Sequence, residues 1–340
     1  VVGAAAGEDA LVADLFSGSA RVAHALKAAG WRVVANDQLA FAHALAAGTV
    51  QADAERWARP AARILRDLSR LPAAPGWFTA TYAEQAHYLH PVNAGLLEAM
   101  REAILRLDVE PELEAVLLAA LLQAADRVDS TAGHQMAFLR ALAPRACKPL
   151  ELRLPELLPR PASGACQAIC ADALDLAAGL DCAVAYLDPP YDQHAYLSNY
   201  HLWETLVRWD RPDTYGRAAK RADCRTRRSA FNSRASIGPA FATLVDRLRA
   251  PTLVVSFGAE GFLARTELEA ALSARRYLHV LEVPHRRYAG TRLGIHNAAG
   301  IAVGTPGPAG TTERLYVAST RRLDLSWAGS MTASSPSALA

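Results

Sequence analysis

Two short stretches carry residue types that can do chemistry together. The first is Asp14-Leu15-Phe16-Ser17-Gly18-Ser19, an acid closing an apolar run, followed by a single glycine. The second is Asp188-Pro189-Pro190-Tyr191, directly after the apolar run Ala183–Leu187. Two consecutive prolines cannot continue a β-ladder and lock a rigid, non-helical turn. Such a turn holds the Asp188 carboxylate and the Pro189 carbonyl as two fixed acceptors, and Tyr191 adds an aromatic face. An amino group on a planar base offers two N–H donors to that pair and a ring to that face. The group therefore suits holding an aromatic amine while a neighbouring electrophile takes it. A purely structural Pro-Pro turn with a helix-capping aspartate also fits the tetrapeptide. It fits less well behind an apolar strand and downstream of a glycine loop.

The glycine loop has its own logic. A glycine after a strand lets the backbone approach a ligand closely and turn into a helix. Asp37 ends the next β-rich run. About 20 residues after such a loop, an acid can accept hydrogen bonds from both hydroxyls of a ribose. Phosphate-binding loops carry more glycines or a lysine. This loop suits a ligand with a ribose and a cationic, phosphate-free end, and S-adenosylmethionine is such a ligand. Taken alone, it equally suits an ordinary glycine turn of an α/β protein.

The elements that must position these residues follow from the pattern. Leu11–Phe16 reads as a strand, Ala20–Ala29 as a helix stopped by Gly30, and Trp31–Ala35 as a second strand ending at Asn36-Asp37. This order opens a nucleotide-binding α/β unit. A further helix starts at Phe41–Ala47. From 51 to 160 helical patterns dominate, notably Asn93–Leu107 and Pro111–Arg127, with an aromatic segment holding Trp77, Phe78, Tyr82, His87 and Tyr88. That block is too long for a loop between two strands. Strands resume at Gln167–Cys170 and Ala183–Leu187, and later at Thr252–Phe257, Tyr277–Val283 and Arg314–Ala318. Asn199–Trp209 and Phe241–Leu248 read as helices. The expected fold is α/β, a Rossmann-like sheet with an inserted helical subdomain. The expected catalytic domain is discontinuous, 1–50 with 161–325; 51–160 is the insertion, and the Ala/Ser-rich tail 326–340 is expected to be disordered.

Bulk numbers exclude some classes. Hydrophobic residues make up 51% of the 340, enough for a real core. No uncharged apolar run of ~20 residues is present, so no membrane helix is expected. Glu8, Asp9 and Asp14 interrupt the Ala-rich start, which does not read as a signal peptide. Cys166, Cys170 and Cys182 lie in or beside apolar runs and are expected to be reduced and buried, as in a cytoplasmic protein. They lack partners at metal-ligand spacing, so no metal is expected. The net charge of +2 is unevenly spread. Arg217, Lys220, Arg221, Arg225, Arg227, Arg228 and Arg234 face one acid, Asp223, and His285, Arg286, Arg287 and Arg292 form a second basic cluster. Such runs are either solvated surface or, beside a nucleotide-modifying site, contacts to phosphates.

The chain resembles the D12 class of adenine-specific DNA methyltransferases. Phe16 and Gly18 match that class's donor-binding loop, and Asp188, Pro189, Pro190 and Tyr191 match the turn that holds its target adenine. Asp37 matches the acid after the second strand, and Asp172 the group that contacts the donor's adenine. Tyr196–Glu204, Val255–Gly261 and Val283–Asn297 also look like that class, so the likeness covers nearly the whole chain. Two features depart from it. The Gly-Ser-Lys type segment before the first strand has no match here, and Gly18-Ser19-Ala20 stands where a further glycine is common. The resemblance implies transfer of a methyl group from S-adenosylmethionine to N6 of an adenine flipped from double-stranded DNA. On it, Asp14, Phe16, Ser17, Gly18, Ser19, Asp37 and Asp172 bind the donor, and Asp188–Tyr191 bind the base. Arg217, Lys220, Arg221, Arg225, Arg227, Arg228, Arg286 and Arg287 are the expected DNA contacts. The aromatics of 77–88 are read either as a subdomain core or as base-stacking groups. A restriction–modification role with a cognate endonuclease, and action as a cytoplasmic monomer, complete the expectation. The competing readings are an RNA-adenine or protein-glutamine methyltransferase and a non-catalytic DNA-binding relative.

Overall fold

The computed structural model describes residues 1–7, 9–131, 133–135, 141–258, 260–286, 295–296, 302–304 and 310–326. Seven strands carry the α/β architecture: β1 Leu11–Asp14, β2 Arg32–Asn36, β3 Gln167–Ile169, β4 Val184–Leu187, β5 Thr252–Gly258, β6 Tyr277–Arg286 and β7 Gly310–Ser319. The chain divides into two compact units, one of Val1–Leu15, Leu174–Gln193 and Ala230–Ala340, the other of Phe16–Ala173 and His194–Ser229.

The first unit holds strands in the order β1-β4-β5-β7-β6. β1, β4 and β5 are parallel, with Ala185 opposite both Ala13 and Leu253. Val12, Ala13, Val184, Ala185, Leu187, Leu253 and Val255 are all buried, the near-continuous apolar pattern of a parallel sheet covered on both faces. β7 runs antiparallel to β5 and β6, with Glu313 opposite Gly258. The helices Ile237–Arg247 and Arg265–Leu272 belong to this unit.

In the second unit β2 and β3 pair in parallel, Asn36 opposite Ile169. Helices dominate the rest, beside a hairpin of the two-residue strands Thr214–Tyr215 and Lys220–Arg221. Helix Pro111–Arg127 begins with proline at its first position, has Glu112 and Glu114 in its first turn and Arg127 in its last, all favoured by the helix dipole. Its Leu113, Val116, Leu117 and Leu121 join one core with Phe78, Tyr82, Tyr88, Leu97 and Trp203. Helix Ala54–Leu68 is capped by Asp53, whose side chain accepts from Glu55 N, and buries Trp57, Ala61, Leu65 and Leu68 along one face. The mixed α/β class and the parallel strands agree with expectation. The elements extend or shorten the expected ones at their ends, β7 most, where an apolar centre continues into polar Gly310–Glu313.

Of the aromatic segment, Phe78, Tyr82 and Tyr88 are core, Trp77 is half-buried and His87 is exposed. Phe78, Tyr82 and Tyr88 are fully buried, and the Tyr88 hydroxyl donates to the Gln135 carbonyl at 2.8 Å. Cys166 and Cys182 are buried as expected, but Cys170 is exposed, because it follows the last residue of β3 and leaves the sheet. The expected tail beyond Ser326 lies outside the described residues.

Candidate active site

In the second unit, residues expected to bind the donor are drawn together by backbone geometry. Ser17 N donates to Asn36 O at 2.8 Å, so the loop after β1 lies against the end of β2. Gly18 takes φ +48°, a left-handed conformation that favours glycine, and its N–H donates to Asp37 Oδ2 at 3.0 Å. Leu39 N donates to Asp37 Oδ1 at 2.9 Å. A carboxylate held at both oxygens keeps free lone pairs for two ribose hydroxyls. Desolvation by its surroundings nevertheless pushes the Asp37 carboxyl up to about 6. Ala20 also takes a left-handed backbone, φ 62°, which explains why a glycine suits this position.

Asp172 reaches the same neighbourhood through a residue that motif reading passed over. Asn36 donates from Nδ2 to Ala171 O and accepts from Ala171 N at Oδ1, both at 3.2 Å. Asp37 N donates to Ile169 O at 3.2 Å. The side chain of Asn36 thus acts as one more rung between β2 and β3, and it sets the Cys170-Ala171-Asp172 turn beside Asp37. Its signal is a polar residue closing an apolar strand directly before the acid. Phe16 is half-buried, Ser17 buried, and Ser19 exposed. A Cβ on Gly18 would meet nothing closer than Phe16 O at 4.0 Å, so the loop presents open backbone to a ligand. This donor set fits the ribose of S-adenosylmethionine.

Glu204 is a fully buried acid of this unit. Its Oε2 accepts from Phe41 N and its Oε1 from Arg227 Nη1, each at 3.1 Å. Arg227 also donates to Gln38 O at 3.4 Å. The residue thereby ties the backbone on both sides of Leu39 to the basic segment. The signal was present, since Glu204 ends the Tyr196–Glu204 stretch.

In the first unit Asp188-Pro189-Pro190-Tyr191 follows β4 at its carboxyl end, where open α/β sheets bind ligands. Asp14 closes β1 opposite Tyr186 in the same unit. Asp188 is half-buried. Burial, and then the nearby Glu313 carboxylate, push its carboxyl up to about 7. Glu313 is itself fixed, accepting from Ser256 Oγ at 2.6 Å. Nothing in the local sequence around Glu313 points to this role. Tyr191 is held at its main chain by Phe262 N, which donates to Tyr191 O at 2.8 Å. Asn232 Nδ2 donates to Asp192 O at 3.1 Å and fixes the exit of the turn. Burial pushes the Tyr191 phenol up to about 12.

The basic residues divide. Arg217, Arg225, Arg227 and Arg228 are exposed and Lys220 is half-buried. Arg225 lies over the Tyr215 ring at 4.0 Å. Arg221 departs from the expected role. It is buried and paired with Asp210 at 2.7 Å and Asp223 at 3.0 Å, because the two-residue strands Thr214–Tyr215 and Lys220–Arg221 fold it inward. Its charge holds the hairpin and is not free for phosphate. The side chains of His285 and Arg286, and all of Arg287 and Arg292, lie outside the described residues.

Comparison with known proteins completes the picture. The model of the D12 class N6 adenine-specific DNA methyltransferases matches residues 6–232. Type II methyltransferase M.NlaIII of Neisseria lactamica is 27% identical over 291 residues, covering 82% of this chain and 84% of that protein. Type II methyltransferase M.CviAII of Paramecium bursaria Chlorella virus 1 is 25% identical over 281 residues, with 81% and 83% covered. Type II methyltransferase M.FokI of Planomicrobium okeanokoites is 29% identical over 208 residues, which span 59% of this chain and only 32% of that protein. With the match over two-thirds of its length and both motifs at strand ends, the chain belongs to the D12 class of N6 adenine-specific DNA methyltransferases.

Proposed function

We propose that the chain methylates N6 of an adenine flipped out of duplex DNA, as the modification partner of a restriction endonuclease. The observation that carries this reading is the rigid Asp188–Tyr191 turn at the end of β4, with an acceptor pair and a held aromatic ring. S-adenosylmethionine, when bound, supplies an electrophilic methyl group. Asp37, Gly18 and the Asp172 turn hold its ribose and adenine side. The Asp188 carboxylate and the Pro189 carbonyl accept the two N–H bonds of the target amino group, which turns the nitrogen lone pair out of the ring's conjugation. Tyr191 stacks on the base and excludes water from one face. Rate gain comes from orientation and fixed dipoles, without a covalent intermediate on the protein.

The segment 51–160 is the proposed target-recognition element. Its helix Ala54–Leu68 places exposed Arg56, Arg59, Arg63 and Arg66 at helical spacing, opposite the buried face. That face and the exposed arginines of 217–228 supply cationic surface for phosphates, which position a protein without specifying sequence. Among the described residues no helix is long and apolar enough to cross a membrane. The reading includes action as a monomer in the cytoplasm.

The test is nucleoside analysis after incubation with labelled donor and, in separate reactions, duplex DNA, structured RNA and protein. Label in N6-methyladenine of DNA is expected. Label confined to RNA or to protein would contradict the DNA reading, and absence of both donor binding and transfer would favour a non-catalytic DNA-binding relative.

A further inference from the structure

The ring of Tyr191 has to sit at a defined height to stack on a base, and the structure contains a seat for it. A Cβ built on Gly258, the last residue of β5, would come within 3.1 Å of Tyr191 Cε2 and Cζ and 3.3 Å of its Oη. The ring therefore rests directly on bare backbone. It cannot retreat freely from an added methyl group. The Tyr191 carbonyl is pinned by Phe262 N at 2.8 Å, and the Phe257 ring lies 5.2 Å away between centroids, tilted by 49°. The support is itself braced. Gly261 N donates to Gly258 O at 3.1 Å and closes the turn, and a Cβ on Gly261 would collide with the Phe257 ring. Both glycines are thus required by aromatic rings, one by Tyr191 and the other by its neighbour.

We infer that the Gly258–Gly261 turn is the positioning element for base stacking: Gly258 sets the height of the Tyr191 ring, and Gly261 keeps Phe257 beside it. The inference rests on Tyr191 being the stacking residue of the proposed reaction. Its residues lie outside the 6–232 span matched by the family model. Neither glycine touches donor or base; both act through Tyr191.

A double-mutant cycle tests this. Gly258→Ala is made in the parent chain and in a Tyr191→Ala background, and kcat and KM for duplex DNA are measured beside donor affinity and melting temperature. A full 1 Å misplacement costs roughly 100-fold, so a shift of a few tenths predicts a loss of about 3–10-fold in kcat/KM for DNA. Donor affinity stays unchanged. In the Tyr191→Ala background the added methyl group has no further effect, because the ring it would push is gone. An equal loss in both backgrounds, or none in the parent, overturns the inference. If Gly258→Ala fails to fold in the parent but folds with Tyr191→Ala, the seat is supported; failure in both backgrounds overturns it. Tyr191→Ala alone leaving DNA methylation intact would overturn the stacking reading and the seat together, and it is read without any glycine variant.

Discussion

Protonating Asp188 turns one of its acceptor oxygens into a donor, and an amino group then meets the wrong partner. Its carboxyl, raised to about 7 by burial and Glu313, is ionised only above that point. Methylation at limiting DNA should therefore fall as pH drops through about 7. Glu313→Gln removes the like charge and should move this acid limb to lower pH, which a pH profile of kcat/KM reads directly. An unmoved limb would mean that Glu313 does not act on Asp188. Ala20 gives a prediction about stability. Its left-handed backbone is unfavourable by roughly 1–2 kcal/mol for a residue with a Cβ, while glycine loses about 0.5–1 kcal/mol more conformational entropy on folding. Ala20→Gly should come out stabilising by up to about 1 kcal/mol, seen as a higher denaturation midpoint. At this scale the two motifs are legible because their residue types have few other uses at strand ends. Glu313 is not, since a lone acid in a strand carries no spacing signal until its partners are known.

Elements are legible where periodicity and caps agree. Helix Pro111–Arg127 is read to the residue, having proline at its start, acids in its first turn and apolar residues throughout. The stretch Asn199–Trp209 reads as a helix and holds one, His201–Arg208; a single helical turn, Tyr196–Asn199, precedes it and ends at Tyr200, where ψ is 30°. Phe78, Tyr82 and Tyr88 are core, because Phe78 packs on Trp209 at 5.4 Å and Tyr88 against His201 at 5.7 Å, contacts made across the chain and invisible in the segment itself. The basic segment yields the prediction that belongs here. Arg221→Ala removes a buried partner from Asp210 and Asp223, which keep Arg208 at 3.0 and 3.4 Å, and should destabilise the chain by about 1–3 kcal/mol. Arg225→Ala with Arg228→Ala should leave the melting temperature nearly unchanged and reduce the slope of log affinity for DNA against log salt by about 2. The opposite pattern would show that exposure does not separate structural from DNA-contacting arginines.

Over the whole chain a net charge of +2 says little, and two-thirds of the length falls within one family match. The α/β class is legible from strand and helix order alone, since parallel strands bury both faces and read as continuous apolar runs. Division into two compact units is not, because their segments interleave in the sequence. Gly18 and Asp37 belong to one unit and the Asp188–Tyr191 turn to the other. The central claim is that this turn holds an adenine for methylation. It is tested most directly by incubating parent and Asp188→Ala chains with labelled S-adenosylmethionine and unmethylated duplex DNA, then analysing the bases. The account predicts N6-methyladenine from the parent, at least 100-fold less from Asp188→Ala, by the order of magnitude lost with one transition-state hydrogen-bond partner, and equal donor binding by both. N6-methyladenine at parental levels from Asp188→Ala would contradict it.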